Sequence, residues 1–99
     1  MGEVQLSGSR NLKQDERDAV IEIASQYLDK YQKLISSDAS LHIHLKLYSR
    51  EGTQKQYQFL TKLVAPGKPV ESSDTNWSMH AALRKTLDNI GTQLERRFM

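Results

Sequence analysis

Cysteine is absent from this 99-residue chain. Disulfides and thiolate metal sites are therefore excluded, and a reducing compartment is expected. Long hydrophobic runs are absent too: none approaches the roughly 20 apolar residues that cross a bilayer. The opening stretch MGEVQLSGSR lacks the apolar centre of a signal peptide, so a cytoplasmic location is expected. Catalytic signatures are missing as well. There is no cysteine nucleophile, no GxSxG, no glycine-rich phosphate loop and no HExxH. No catalytic residue, no cofactor and no small-molecule substrate is expected. There are no internal repeats and no low-complexity tract.

What is present describes a small α+β domain. Hydrophobic residues make up 37% and charged residues 26%, an ordinary balance for a soluble globular chain. Ninety-nine residues suffice for one core, and residues 1–99 are expected to form a single domain. EVQLS at 3–7 alternates apolar and polar residues and predicts a short strand, with Val4 and Leu6 inward and Gly8 ending it. A long amphipathic helix follows. Its stripe runs through Val20, Ile23, Tyr27, Tyr31 and Leu34 and is broadened by Ala24, Leu28 and Ile35. Asn11 and Gln14 fit a cap and its return partner. Asp15, Glu16 and Asp18 suit the positive end of the helix dipole, which is a sufficient reason for their clustering. SSDAS at 36–40 ends the helix.

LHIHLKLYS at 41–49 is the clearest strand: Leu41, Ile43, Leu45 and Leu47 point one way, His42, His44, Lys46 and Tyr48 the other. REGT predicts a turn, and KQYQFLTKLVA at 55–65 a partner strand. Its alternation slips at Phe59–Leu60, which predicts a bulge or a change of buried face. APGKP is a turn, and VESSD at 70–74 is a polar edge strand. A closing helix, capped by Asp74, Thr75 or Asn76, carries the stripe Met79, Leu83, Leu87, Ile90 and Leu94. Gly91 inside it marks either a close approach to a neighbour or loosening of the last turns. The order β-α-β-β-β-α predicts a two-layer α+β sandwich, with both helices on one face of a four-stranded sheet.

Charge is uneven. The net balance is +2, yet residues 40–70 hold five basic residues against Glu51 alone, a balance of +4. Residues 80–99 hold four against two. That asymmetry predicts an anionic partner on one side of the fold. The candidate RNA-binding residues are Lys46, Arg50, Lys55, Lys62 and Lys68 on or beside the hairpin, with Arg84, Lys85, Arg96 and Arg97 on the closing helix. His42, His44 and Tyr48 are further candidate RNA contacts, through stacking or ribose hydrogen bonds. A lone tryptophan is usually well buried, so Trp77 is expected in the core, with an exposed stacking residue as the other reading. The pair HIH shares one strand face about 7 Å apart and could begin a metal site. A third ligand such as His80 or Asp74 would have to come from elsewhere, so no metal is expected.

These patterns resemble the ribosome hibernation-promoting factors, also called ribosome-associated inhibitors. That family opens its closing helix with a polar residue and Met-Tyr-Ala-Ala-Ile-Asp. Here Ser78, Met79, His80, Ala81, Ala82 and Leu83 occupy the pattern, followed by Leu87, Asp88 and Ile90. VQLSGSRNL is similar to the family's first strand, glycine and polar turn, and LHIHLKLYS to its central strand. His80 stands where tyrosine is usual, Arg84 where aspartate is usual, and APGKP is richer in proline than the pattern. The resemblance implies a non-enzymatic protein of the short form with a fold like double-stranded-RNA-binding domains. It implies a seat in the mRNA and tRNA channel of the small ribosomal subunit, contacts to rRNA, and repression of translation in resting cells. Longer relatives carry a C-terminal dimerising domain, and a chain that stops at Met99 is not expected to bring two ribosomes together by that route; a monomer when free is expected. Two alternatives remain: a general double-stranded-RNA or ribonucleoprotein-binding domain, and a small histidine-based metal-binding domain.

Overall fold

Alternation in the central strand sets the layers. The computed structural model describes residues 3–8, 10, 12–49, 55–67 and 69–98. Its elements are β1 (Val4–Ser7), α1 (Gln14–Ile35), β2 (Ser40–Ser49), β3 (Lys55–Val64), β4 (Val70–Asn76) and α2 (Met79–Phe98). The sheet order is β1-β2-β3-β4. β1 runs parallel to β2, and the other neighbours are antiparallel. Leu41, Ile43 and Leu45 are buried, while His42, His44, Lys46 and Tyr48 are exposed. Both helices lie on the face of the odd-numbered β2 residues, so the sheet is mixed, the fold is α+β, and the other face is open.

The core joins that face to the two helix stripes. Met79, Leu83, Leu87, Ile90 and Leu94 of α2 are all buried, as are Val20, Ala24, Leu28 and Tyr31 of α1. Phe59 and Leu63 fill the β3 part and Val70 the β4 part. Val4 and Leu6 of β1 pack at the margin. Beside this apolar core lies a polar seam. Thr61 of β3 pairs with Ser72 of β4, and Thr86 of α2 is fully buried. Among the described residues, the hydroxyls of these three have no hydrogen-bond partner.

Several expectations need correction. β3 has no bulge and no change of face: its register with β2 is unbroken from Ser40↔Val64 to Ser49↔Lys55. Phe59 turns to the core, and Leu60 is simply a half-buried residue of the open face. The sequence misled because Leu60 is apolar on a face that is only partly wet. The cap of α1 is Lys13, whose N–H donates to Glu16 Oε1 at 3.0 Å. Asn11 lies outside the described residues, as does the turn 50–53. The start of α2 is held by Ser78, whose Oγ accepts from the Ala81 N–H at 3.3 Å. Asp74, Thr75 and Asn76 instead extend β4, and Asn76 Oδ1 accepts from the Ser78 N–H.

Two single residues also differ from expectation. Trp77 is 53% exposed rather than a core anchor. The inward positions at this junction are taken by Met79, Ala82 and Leu83, which leaves the indole outside. Gly91 neither loosens α2 nor permits a forced approach. The helix runs on to Phe98, and a Cβ at Gly91 would meet Tyr31 Cε1 at an ordinary 3.6 Å. Gly8 is the glycine the backbone requires. Its φ is +75°, and a Cβ there would lie 2.2 Å from the Leu45 carbonyl oxygen.

Candidate nucleic-acid interface

The register places the candidate side chains of the open face in rows. Gln5, His42, Lys62 and Glu71 form one row, and Ser7, His44, Leu60 and Ser73 the next. Lys46, Gln58 and Thr75 form a third, and Tyr48 pairs with Gln56 nearer the β2–β3 hairpin. A groove of about 730 Å³ crosses the first two rows and reaches over the β4 edge to Asn89. Gln5, Ser7 and Ser73 were not singled out from the sequence. Only the pairing of edge strands with β2 and β3 brings them here.

Each open-face candidate has a distinct setting. Lys46 is exposed and has no carboxylate partner among the described residues. Lys62 Nζ lies 4.0 Å from a Glu71 carboxylate oxygen, both side chains being well exposed, so its charge is partly offset. Tyr48 is 41% exposed, and its hydroxyl donates to Gln58 Oε1 at 3.1 Å. His44 Nδ1 shares a 2.8 Å hydrogen bond with Ser7 Oγ, tying β1 to β2. His42 faces Lys62 across the strands. Among the described residues no group of three or more His, Cys, Asp or Glu side chains gathers to hold a metal. Neither His80, exposed on α2, nor Asp74, on the helix-bearing face of β4, joins the pair.

The remaining cations lie elsewhere. Lys55, paired with Ser49, falls on the helix-bearing side at the hairpin end by strand alternation. Arg84, Lys85, Arg96 and Arg97 are exposed on α2. Arg84 leans toward α1. It works against the raised pKa of Tyr27, which burial and then the hydrogen bond and charge of Asp88 push up. Tyr27 Oη donates to Asp88 Oδ1 at 2.9 Å, and Lys30 Nζ sits 5.6 Å from the same ring's centroid. Lys85 and Arg96 have no carboxylate partner among the described residues. Arg50 and Lys68 lie outside the described residues.

The described cations therefore do not converge on one side. Lys46 and Lys62 stand on the open sheet face, while the α2 set stands on the helix layer behind it. The described cations divide between the two broad sides for a topological reason. Both basic stretches are amphipathic, and each turns its charged side away from the one core they share.

The two-helix, four-stranded sandwich defines a class of small α+β domains. A family profile described as "Sigma 54 modulation protein / S30EA ribosomal protein" matches residues 9–98, and the chain belongs to that family. The chain is similar to the crystal structure of the Protein Y N-terminal domain from Thermus thermophilus. That match has a TM-score of 0.70 and 19% identity, and it covers 95% of this chain and 93% of that one. It is also similar to a ribosomal subunit interface protein from Coxiella burnetii, with a TM-score of 0.65, 13% identity and 96% of both chains covered. No curated protein sequence matches the chain. No helix among the described residues is long and apolar enough to cross a membrane.

Proposed function

We propose that residues 1–99 act as a single, non-enzymatic domain that binds the small ribosomal subunit and occludes its mRNA and tRNA channel. In this reading the protein is cytoplasmic, is a monomer when free, and represses translation or stores ribosomes. Lys46, Lys85 and Arg96 clamp rRNA phosphates, with Arg50, Lys55, Lys62, Lys68, Arg84 and Arg97 supplementing them. His42, His44 and Tyr48 touch the partner or flank it. Family membership supports the ribosome as partner, and the similar Coxiella burnetii structure is named as a ribosomal subunit interface protein.

The observation that carries the mechanism is the division of the described cations between opposite sides of an elongated body, 45 × 24 × 17 Å. A protein lying on one duplex gathers its cations on one face. A protein wedged in a channel meets phosphate walls on both sides, and phosphate contacts supply affinity without reading sequence. Repression is then steric: the body fills space that tRNA and mRNA need. Sedimentation of lysate through sucrose tests this directly. The protein is expected to travel with small subunits, to leave as salt rises, and to compete with tRNA. Co-sedimentation that ignores salt, or simultaneous occupancy with tRNA and mRNA, sinks the reading.

A further inference from the structure

One end of the sheet collects exposed aromatic surface that the fold does not use. Trp77 directly follows Asn76, which pairs with Tyr57. Tyr48 pairs with Gln56 at the same end of the sheet. Both rings are open to solvent, at 53% and 41%. The open-face cation nearest this end, Lys46, has no carboxylate partner among the described residues. Among the described residues, the acids of the open face, Glu3 and Glu71, belong to the opposite end. Flat aromatic surface beside positive charge that no described carboxylate opposes matches the chemistry of unpaired nucleotides. Stacking needs an exposed base face, and base pairing inside a duplex hides it.

We propose that Trp77 and Tyr48 form a stacking platform for unpaired bases of an RNA strand, whose phosphates Lys46 holds. This deepens the rRNA-binding reading and rests on it. It assigns the hairpin end to a single-stranded segment, while the α2 cations meet phosphates whatever their pairing. It also gives Trp77, which the core does not need, a reason to be a large aromatic residue.

Trp77 is the chain's one tryptophan, so its emission reports on this site alone. The full chain is titrated with single-stranded oligoadenylate, with the duplex that oligoadenylate forms with oligouridylate, and with purified small subunits. Single-stranded probe is expected to quench Trp77, and duplex to leave it largely unquenched. Trp77→Ala is expected to weaken single-strand binding about 5- to 100-fold with an unchanged salt slope, because stacking releases no counterions. Trp77→Phe should recover much of the loss, and circular dichroism of both variants should match the parent, because the indole lies outside the core. Small-subunit binding that is equally tight in Trp77→Ala, with no quenching by the single strand, overturns the platform and leaves the ribosome reading standing. Emission that responds to intact subunits but not to single-stranded RNA means a ribosomal protein is the contact, and also overturns it. Failure to bind subunits or either probe removes the ribosome reading itself.

Discussion

The Tyr31 hydroxyl of α1 donates a hydrogen bond to the Leu87 carbonyl of α2, deep between the helices. Tyr31 is 3% exposed, so its ring fills core while its one polar atom is satisfied by backbone of the facing helix. Burial raises the hydroxyl's pKa far above the ordinary 10.0, and the nearby charges of Tyr27 and Asp88 add to the rise. The folded chain thus keeps a proton that the unfolded chain releases. That contribution is fully present below pH 10.0 and is lost as pH climbs from there toward the folded value.

Tyr31→Phe is accordingly expected to lower stability at neutral pH by about 0.5–1.5 kcal/mol. The variant should also lose less than the parent between neutral pH and strongly alkaline solution. Urea melts across that range check both halves. Parallel alkaline losses in parent and variant would show that another group governs them.

Leu87 itself is fully buried. Leu87→Ala removes side-chain contacts on the sheet side and is expected to cost about 2–5 kcal/mol, a large share of the roughly 5–10 kcal/mol expected for a domain of this size. Thermal melting measures it. A midpoint within a degree or two of the parent would mean that α2 does not present this stripe to the sheet.

Two glycines should respond in opposite directions to the same added methyl group. Gly91→Ala is expected to stabilise the chain by up to about 1 kcal/mol, since the Cβ fits against Tyr31 at 3.6 Å. Gly8→Ala should destabilise it by more than about 1 kcal/mol, because the left-handed backbone and the Leu45 carbonyl both oppose a side chain. Equal effects in a chemical-denaturation series would contradict this geometry.

On the RNA side, Lys46→Ala, Lys85→Ala and Arg96→Ala are each expected to weaken small-subunit binding without lowering thermal stability. Each should flatten the log–log salt dependence by roughly 0.7–1 unit. Lys62→Ala should do less, because Glu71 stands 4.0 Å from its ammonium. Filter binding over a salt series separates the four. An undiminished slope in all of them removes phosphate contact as their role.

Where periodicity was strict, the sequence told the structure. His42, Ile43, His44 and Leu45 alternate with no exception, and their burial follows. Met79, Leu83, Leu87, Ile90 and Leu94 repeat at helical spacing, and all five are buried. Periodicity fails where one residue can satisfy two roles. Leu60 is apolar enough to mimic a core position, yet sits on a partly covered open face. Trp77 is large enough to anchor a core, yet Met79 and Leu83 already fill the junction. The candidate site was legible as a set of residue types but not as a shape. Which neighbour each polar side chain meets depends on partners far away in the chain, such as Ser7 for His44 and Glu71 for Lys62.

The parallel pairing of β1 with β2 also has a kinetic side. β2, β3, β4 and α2 follow one another through short connections and can close in sequence order. β1 finds its partner only across the whole of α1, a far longer loop, and such non-local closure is the slow part of folding. With only Val4–Ser7 contributed at a sheet edge, β1 also has little to lose by letting go. Native-state hydrogen exchange should therefore divide the molecule in time. The β2–β3–β4–α2 unit would exchange through global unfolding, and the first strand would release its amides in a smaller, earlier opening.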